Sequence, residues 1–157
     1  MDLRLRPLHD EELAEFIESS RGEYVVGLVE HARMSEDFAD RKAERDLASV
    51  TGAASIPEGH SLYWIEDGEE RIGRLWFEER LSARLGRFAW LNEVKIDEPF
   101  RGRGYGRRAL DLLEDEVRAR GLPEIALNVW GGNDVARALY GSHGYFERAV
   151  EMAKELA

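Results

Sequence analysis

The most constraining stretch of this sequence is a strand pattern, a glycine-rich turn and a helix pattern in direct succession. LNEVKI (91–96) has the composition of a β-strand, RGRGYG (101–106) follows it, and RRALDLLEDEVRAR (107–120) repeats apolar residues at helical spacing. The first N–H groups of a helix have no carbonyl partner and attract anions. This order of elements therefore predicts an α/β fold with an anion site where the strand passes into the helix.

The glycine-rich turn also reverses the local charge of the chain. The net charge is −10, yet Arg101, Arg103, Arg107 and Arg108 lie within eight residues of each other. Arginine adds charge-assisted hydrogen bonds to a phosphate. The glycine spacing matches neither a Walker loop nor a dinucleotide fingerprint, so we expect a phosphorylated ligand of another kind. The alternative is a tight turn whose arginines are merely solvated.

The remaining pattern predicts one mixed α/β domain, of the α+β type, over residues 1–157. We expect a central sheet of about six to seven strands with about four to five helices around it. A β-hairpin is predicted around Gly68 and a helix cap at Ser35. Strands are predicted at residues 3–7, 62–65, 72–77, 87–96 and 124–130, with one or two more around 145–154, and helices from residue 10 (broken near 19–22), from residue 35, over 107–120 and over 133–142.

Composition excludes several functional classes. The chain has no cysteine, and its four histidines (His9, His31, His60 and His143) show no metal-ligand spacing, so no metal is predicted. The acidic charge weighs against nucleic-acid binding and mildly favours cationic ligands such as amines. There is no signal-peptide pattern and no apolar run long enough for a membrane span. We therefore expect a soluble, cytoplasmic protein without membrane or nucleic-acid partners.

Two motifs in register resemble a known family. RGRGYG (101–106) fits the Arg/Gln-x-x-Gly-x-Gly/Ala signature of the GNAT superfamily of acyl-CoA-dependent N-acetyltransferases. NVWGGNDVARALYGSHGY (128–145) follows at the family's distance and resembles its second signature. One departure is that Pro99 lies two residues before Arg101, where the family often has proline three residues before. The resemblance is strong over residues 91–156 and extends to the first half only in the order of elements.

The resemblance implies a twisted mixed sheet in which two parallel strands, 91–96 and 124–130, splay apart. Residues 1–86 would shape the acceptor site, and residues 87–157 would bind acetyl-CoA as co-substrate. The pantetheine arm would bond to the main chain of residues 94–96, and the pyrophosphate would rest on the N–H groups of residues 101–106. The residues that the resemblance implies at the cofactor are Val94, Lys95, Ile96, Arg101, Gly102, Arg103, Gly104, Tyr105, Gly106, Arg107, Asn133, Ala136 and Tyr140.

The implied reaction is acetyl transfer to a primary amine. An alkylammonium has a pKa near ~10 and must lose a proton before attack, for which Glu93 is the first candidate base. By alternation Glu93 and Lys95 share one face of the strand, and Val94 and Ile96 the other. Alternatively Glu93 only pairs with a cation or faces solvent. Three lesser candidates are Glu78, Glu79 and Asp134.

Tyr140 occupies the position at which many members of the family carry a general acid. An ordinary phenol and an ordinary thiol differ by about 1.5 pKa units, so proton transfer to the leaving thiolate is uphill by only ~2 kcal/mol. The N–H of Val94 is the candidate donor to the oxyanion. The alternative for Tyr140 is an aromatic residue that packs on the sheet, and Tyr105 is also interpreted as a packing residue at the helix start.

Two other hypotheses remain at this point. The chain could bind CoA without catalysis, as a sensor or interaction module, or it could keep the fold and use another acyl-CoA. The acceptor could be a small amine, an amino acid, an antibiotic amine, or a peptide N-terminus or lysine. The resemblance also allows a homodimer.

Overall fold

A five-stranded sheet forms the centre of the molecule, as seen in a computed structural model that describes residues 1–156. The strands lie in the order β1-β2-β3-β4-β5; the first four are antiparallel, and β5 runs parallel to β4. The predicted mixed sheet is confirmed, although residues 1–156 contain five strands rather than six or seven. The strands are β1 (Leu3–Pro7), β2 (His60–Asp67), β3 (Glu70–Ser82), β4 (Gly86–Ile96) and β5 (Ile125–Leu127).

Within residues 1–156, four α-helices flank the sheet. Helix α1 (Leu13–Ala32) packs on one face, with α2 (Glu36–Asp46) against it, and α3 (Tyr105–Ala119) and α4 (Asp134–Ser142) lie on the other face. The predicted cap is confirmed, because the Phe38 N–H donates to Ser35 Oγ at 3.3 Å. Among the helices within residues 1–156, none combines the length and the apolar character that crossing a bilayer requires.

Helix α1 is continuous over 20 residues, so the break predicted near residues 19–22 is wrong. It ends at Arg33, which adopts a left-handed conformation with φ 60°. The apolar pattern lapses at Ser20, although Ser20 is buried on the sheet-facing side with Phe16 and Leu28. The irregular pattern therefore marks a polar contact beneath the helix and not the end of the helix.

The two faces of the sheet carry separate cores. Under α3 the buried cluster consists of hydrophobic residues, with Leu110 and Leu113 of α3 fully buried in it and Tyr63 bonded through its hydroxyl to Glu116 of α3. Under α1, a smaller cluster includes Phe16, Trp64 and Trp76. Polar groups also lie near this face. Ser20 and Arg74 are buried, and Glu93 is partly buried beside them.

The carboxyl-terminal strands predicted around residues 145–154 do not form, and residues 143–156 contain no strand. The strand predicted over 124–130 is confirmed only at Ile125–Leu127. Because β5 is so short, it offers the following chain almost no ladder to extend. Side chains hold the segment instead: Arg148 donates to both carboxylate oxygens of Glu124, just before β5.

Candidate active site

The site is built around a gap between β4 and β5. The two strands pair in parallel only at Ala89–Ile125, Trp90–Ala126 and Leu91–Leu127. Strand β4 then continues to Ile96 with β3 on one side and without a β5 partner on the other. Main-chain groups on that open side have no strand to bond to, which is the arrangement an extended ligand needs to add itself to a sheet edge. The predicted separation of the strands is present.

A β-bulge opens the gap. The residues opposite each other in β3 and β4 step from Trp76–Glu93 to Phe77–Leu91, which leaves Asn92 as an extra residue. An extra residue reverses the alternation of everything after it in the strand. The sequence analysis did not identify this bulge.

Hydrogen bonds on either side of the bulge show its effect. The Ala89 N–H donates toward β5 at 2.9 Å, whereas the Asp97 N–H donates to Ile72 of β3 at 2.8 Å. Since main-chain groups alternate in direction along a strand, Val94 and Ile96 direct theirs away from β3 and into the gap. Val94 is the residue predicted to donate its N–H to an oxyanion.

Glycine is required where β3 and β4 run closest together. A Cβ built on Gly73 would lie 2.0 Å from the carbonyl oxygen of Lys95, a main-chain atom that cannot rotate away. The Lys95 carbonyl therefore faces β3 and not the gap. The absence of a side chain at Gly73 therefore allows the close approach of β3 to the β4 segment that borders the site.

The glycine-rich turn meets the same end of the sheet. Gly102 and Gly104 have φ of 74° and 84°, which side-chain-bearing residues rarely adopt, and Gly104 is the N-cap of α3. The α3 N-terminus therefore presents N–H groups that no side chain caps, as an anion such as a pyrophosphate requires. Arg101 Nε donates to the Ile96 carbonyl at 2.9 Å, and Arg103 is exposed. These residues fit a CoA pyrophosphate.

Glu93 lies beneath α1, in a pair with a buried cation. Its Oε1 accepts from Arg74 at 2.8 Å, and its Oε2 accepts from the Ser20 hydroxyl at 2.5 Å. The side chains of Glu93 and Arg74 are only 15% and 8% exposed. Glu93 therefore pairs with a cation, as the alternative interpretation required, and it does so beside the gap, where a base would be needed.

Lys95 lies on the same face as Glu93, as the alternation predicted. Its ammonium pairs with Glu23 of α1 at 2.6 Å. Val94 and Ile96 instead pack against the apolar cluster under α3. The two faces of β4 thus separate charged and apolar side chains.

Tyr140 lies on α4, on the α3 side of the sheet. Its ring packs against the apolar cluster and lies 5.4 Å, centroid to centroid, from that of Tyr145. Burial, followed by the negative charge of Glu93, raises the pKa of Tyr140 to about 12. Tyr140 and Glu93 thus lie on opposite faces of the sheet, and the Glu93 charge adds only a secondary contribution to the raised pKa of Tyr140.

The other residues implied by the resemblance have contacts of their own. The side-chain Oδ1 of Asn133 caps α4 by accepting from the Ala136 N–H at 3.2 Å. Arg107 donates to Ser142 at 3.3 Å, which ties α3 to α4. Gly106 allows the same two helices to approach, since a Cβ there would lie 3.3 Å from Leu139.

Tyr105 bonds away from the gap. Its hydroxyl donates to Asp67 at 2.5 Å, and this bond raises the pKa of Tyr105 and lowers the pKa of Asp67. The ring packs against the apolar cluster under α3. Tyr105 thus fixes the start of α3 to the β2–β3 turn, which agrees with its interpretation as a packing residue.

The lesser base candidates lie elsewhere. Glu78 contacts His60 Nε2 at 3.1 Å, and Glu79 pairs with Arg87. Asp134 is exposed in the first turn of α4. Within residues 1–156, no group of three or more His, Asp or Glu side chains is placed to hold a metal ion.

The main chain of His31, at the end of α1, lies close to the loop between β5 and α4. A Cβ on Gly132, in the loop between β5 and α4, would be 3.2 Å from the His31 carbonyl oxygen. The end of α1 and this loop therefore approach closely.

Comparison with known proteins agrees with this geometry. A profile of the acetyltransferase (GNAT) family matches residues 9–145. The chain belongs to this family. As a member it is an acyltransferase, and the family uses acetyl-CoA as the acyl donor.

Several named acetyltransferases are similar to this chain in sequence. The uncharacterized N-acetyltransferase YycN of Bacillus subtilis is 26% identical over 99% of this chain and 100% of its own. Its crystal structure covers 99% of both chains with a TM-score of 0.88 at 24% identity. The glucosamine 6-phosphate N-acetyltransferase 1 of Oryza sativa is 28% identical over 95% of this chain and 84% of its own. The ribosomal protein bS18 alanine N-acetyltransferase of Salmonella typhimurium is 39% identical over 62% and 70%.

Three residues of the site escaped the sequence analysis: Ser20, Arg74 and Asn92. Ser20 carried a signal, since it falls four residues after Phe16 and three after Ile17, both of which are buried. Arg74 carried a weaker one, as a charge inside the otherwise apolar buried run of β3. Nothing in the sequence around Asn92 distinguishes a bulge from regular alternation.

Proposed function

We propose that this chain transfers an acetyl group from acetyl-CoA to a primary amine by direct attack of the amine. The observation that carries the proposal is the open side of β4 beyond Leu91, which Glu93 and the main chain of Val94 border at the end of the sheet where the uncapped N-terminus of α3 lies. A carboxylate that accepts a proton and a phenol that holds one are the two groups that amine acylation needs.

The donor is proposed to lie along the gap and on the α3 N-terminus. Acetyl-CoA supplies the thioester carbonyl that the amine attacks. Val94 and Ile96 direct main-chain groups toward the pantetheine position, and the turn over residues 101–106 receives the pyrophosphate. Arg101 now bonds to the Ile96 carbonyl, so its guanidinium must leave that atom before a ligand amide can bond there.

Glu93 is proposed to accept the proton of the amine. A protonated amine with a pKa near ~10 has no lone pair for attack at neutral pH. The Glu93 carboxylate faces α1 at the border of the gap, and it takes the proton directly or through one water molecule. The Val94 N–H then donates to the oxyanion that forms on attack.

Tyr140 is proposed to protonate the leaving sulfur. With its pKa raised to about 12, the phenol keeps its proton at neutral pH. The difference from an ordinary thiol grows to about 3.5 pKa units, or ~5 kcal/mol, which exceeds the ~2 kcal/mol expected for an unperturbed phenol. A transfer that is uphill by this amount still fits within the barrier of roughly 13–17 kcal/mol of an enzyme with ordinary turnover.

The acceptor is proposed to be a primary amine of small or peptide origin. The names of two relatives contain such acceptors, glucosamine 6-phosphate and an alanine of a ribosomal protein. The net charge of −10 favours a cationic acceptor over an anionic one. A cytoplasmic location and a homodimer remain part of the proposal.

A second candidate function is a CoA-binding sensor without catalysis. It is favoured by one observation, that both oxygens of Glu93 are already engaged, by Arg74 and by Ser20. Transfer of another acyl group by the same site is the remaining variation.

Thiol release from acetyl-CoA against a panel of amines tests the proposal. We expect at least one amine to raise thiol release above hydrolysis, and we expect Glu93→Gln and Tyr140→Phe each to lower turnover roughly 100-fold, as loss of an acid or base does. Binding of acetyl-CoA should persist in both variants. If acetyl-CoA binds tightly and no amine raises thiol release, the sensor function replaces the enzyme.

A further inference from the structure

The Glu93 carboxylate is held by two partners of different chemistry. Arg74 donates to Oε1 at 2.8 Å, and Ser20 donates to Oε2 at 2.5 Å. A guanidinium has only donors and cannot accept a hydrogen bond, whereas a hydroxyl has one donor and two acceptor sites. The two carboxylate oxygens are therefore not equivalent as positions for an added proton.

A proton on Oε1 would neutralise the oxygen whose negative charge the Arg74 guanidinium stabilises through a charge-assisted hydrogen bond. A proton on Oε2 meets the Ser20 oxygen, which can turn from donor to acceptor by rotation of its hydroxyl. Ser20 is 5% exposed and sits in the middle of α1, so its oxygen stays in place while the hydroxyl turns. The Ser20 bond can thus persist in both protonation states of Glu93.

We propose that Ser20 is a positioning residue that makes Oε2 of Glu93 the atom that receives the amine proton. The inference rests on the proposed function, in which Glu93 is the base. In the step itself, the N–H bond of the ammonium breaks and an O–H bond forms at Oε2. The electron pair stays on the nitrogen, and the Ser20 hydroxyl changes from donor to acceptor. Arg74 stays bonded to Oε1, which becomes the carbonyl oxygen of the neutral acid.

Steady-state kinetics of acetyl transfer tests this role. Ser20→Ala should lower kcat about tenfold, because a hydrogen bond to a charged group is lost. The KM for acetyl-CoA should stay unchanged, because Ser20 is not among the residues proposed to bind acetyl-CoA. Ser20→Thr keeps the hydroxyl and should recover most of the turnover. The matched control is Ser19→Ala, which removes the neighbouring hydroxyl of α1 and should keep wild-type turnover.

A double-variant cycle separates positioning from a general structural effect. If Ser20 acts through Glu93, then Ser20→Ala added to Glu93→Gln lowers kcat no further. Losses that multiply in the double variant overturn the proposal. A wild-type kcat in Ser20→Ala overturns it as well, as does a wild-type kcat in Glu93→Gln, which removes the base assignment while leaving the acetyltransferase activity intact.

A measurement without turnover keeps the two proposals apart. The ¹³C NMR signal of the Glu93 carboxyl carbon, assigned through Glu93→Gln, should move in Ser20→Ala and stay in place in Ser19→Ala. If the signal does not respond to Ser20→Ala, Ser20 does not hold the carboxylate and the inference fails whatever the activity. If it responds but no amine is acetylated, the proposed function fails, and the inference fails with it because Glu93 then has no amine proton to receive.

Discussion

The two faces of β4 differ in what they bury. On the α3 side, Val94 and Ile96 pack against a cluster of hydrophobic side chains. On the α1 side, one residue away along the strand, Glu93 bonds to Arg74 and Ser20. Burying an ion pair costs desolvation that its attraction barely offsets, whereas an apolar contact stabilises without that cost.

The difference separates stability from function within one strand. The apolar face holds the sheet to α3 and would serve equally well in a protein without activity. The polar face gives up stability for a carboxylate and a guanidinium next to an open gap. Such an exchange is typical of functional sites. The bulge at Asn92 and the close approach at Gly73 determine where the residues of β4 lie relative to β3.

The largest loss of stability is expected at Gly73, whose close contact with the Lys95 main chain positions both faces of β4. Gly73→Ala places a Cβ 2.0 Å from the Lys95 carbonyl oxygen, so β3 and β4 must separate. We expect a loss of about 4 kcal/mol in the free energy of unfolding, or no folded protein, because a main-chain atom cannot yield as a side chain can. Urea denaturation followed by circular dichroism measures it. The control is Gly22→Ala in α1, where the Cβ meets nothing within 4 Å and where helix propensity should raise stability by ~0.5–1 kcal/mol.

The next largest effect is expected for the Arg74–Glu93 ion pair. Arg74→Met alone leaves the Glu93 carboxylate buried without its cation, and we expect a loss of about 3 kcal/mol. Arg74→Met combined with Glu93→Leu removes both charges, so stability should return to within ~1 kcal/mol of wild type or exceed it. Turnover should be lost in both. If the double variant is as unstable as the single one, the polar face contributes to stability after all.

The matched control for this pair lies on the apolar face. Leu110 is fully buried under α3, and Leu110→Ala should also cost about 3 kcal/mol through the cavity that it leaves. Here, however, turnover per folded molecule should remain, because a leucine side chain supplies no polar group to the proposed site. Equal stability losses with opposite effects on turnover would establish the division between the two faces.

The elements of the fold were predictable where the local pattern decides the structure. The β2–β3 hairpin, the Ser35 cap and the strand–turn–helix around Gly104 follow from turn residues and periodicity, and they are present. The break in α1 was predicted wrongly because Ser20 interrupts an apolar stripe for a reason on another strand. The final strands were predicted wrongly because a strand needs a neighbour to pair with, and β5 pairs over three residues only.

The site was predictable to the same extent. A motif position suggested Tyr140, and the strand beside the expected cofactor suggested Glu93; both roles stay predictions. Simple alternation correctly predicted that Glu93 and Lys95 share one face of β4. Ser20 and Arg74 could not be assigned, because they are 73 and 19 residues from Glu93 along the chain and meet it only in the folded sheet. The bulge at Asn92 depends on how β3 and β4 match along their length, which no local window contains.

The smallest expected effect concerns Tyr140, where the two faces meet. Its ring packs on the apolar side, while Glu93, on the polar side, adds to the burial that raises its pKa to about 12. In the unfolded chain the phenol has a pKa near ~10, so its proton stabilises the folded state fully below pH ~10 and this contribution is lost as the pH rises toward 12. Between pH 9 and pH 11, Tyr140→Phe should therefore lose about 1 kcal/mol less unfolding free energy than wild type, in urea titrations at both pH values. Other tyrosines with raised pKa values are common to both chains and cancel in the difference. Identical pH dependence in the two chains would mean that the Tyr140 hydroxyl is open to water, and its place between the faces would have to be abandoned.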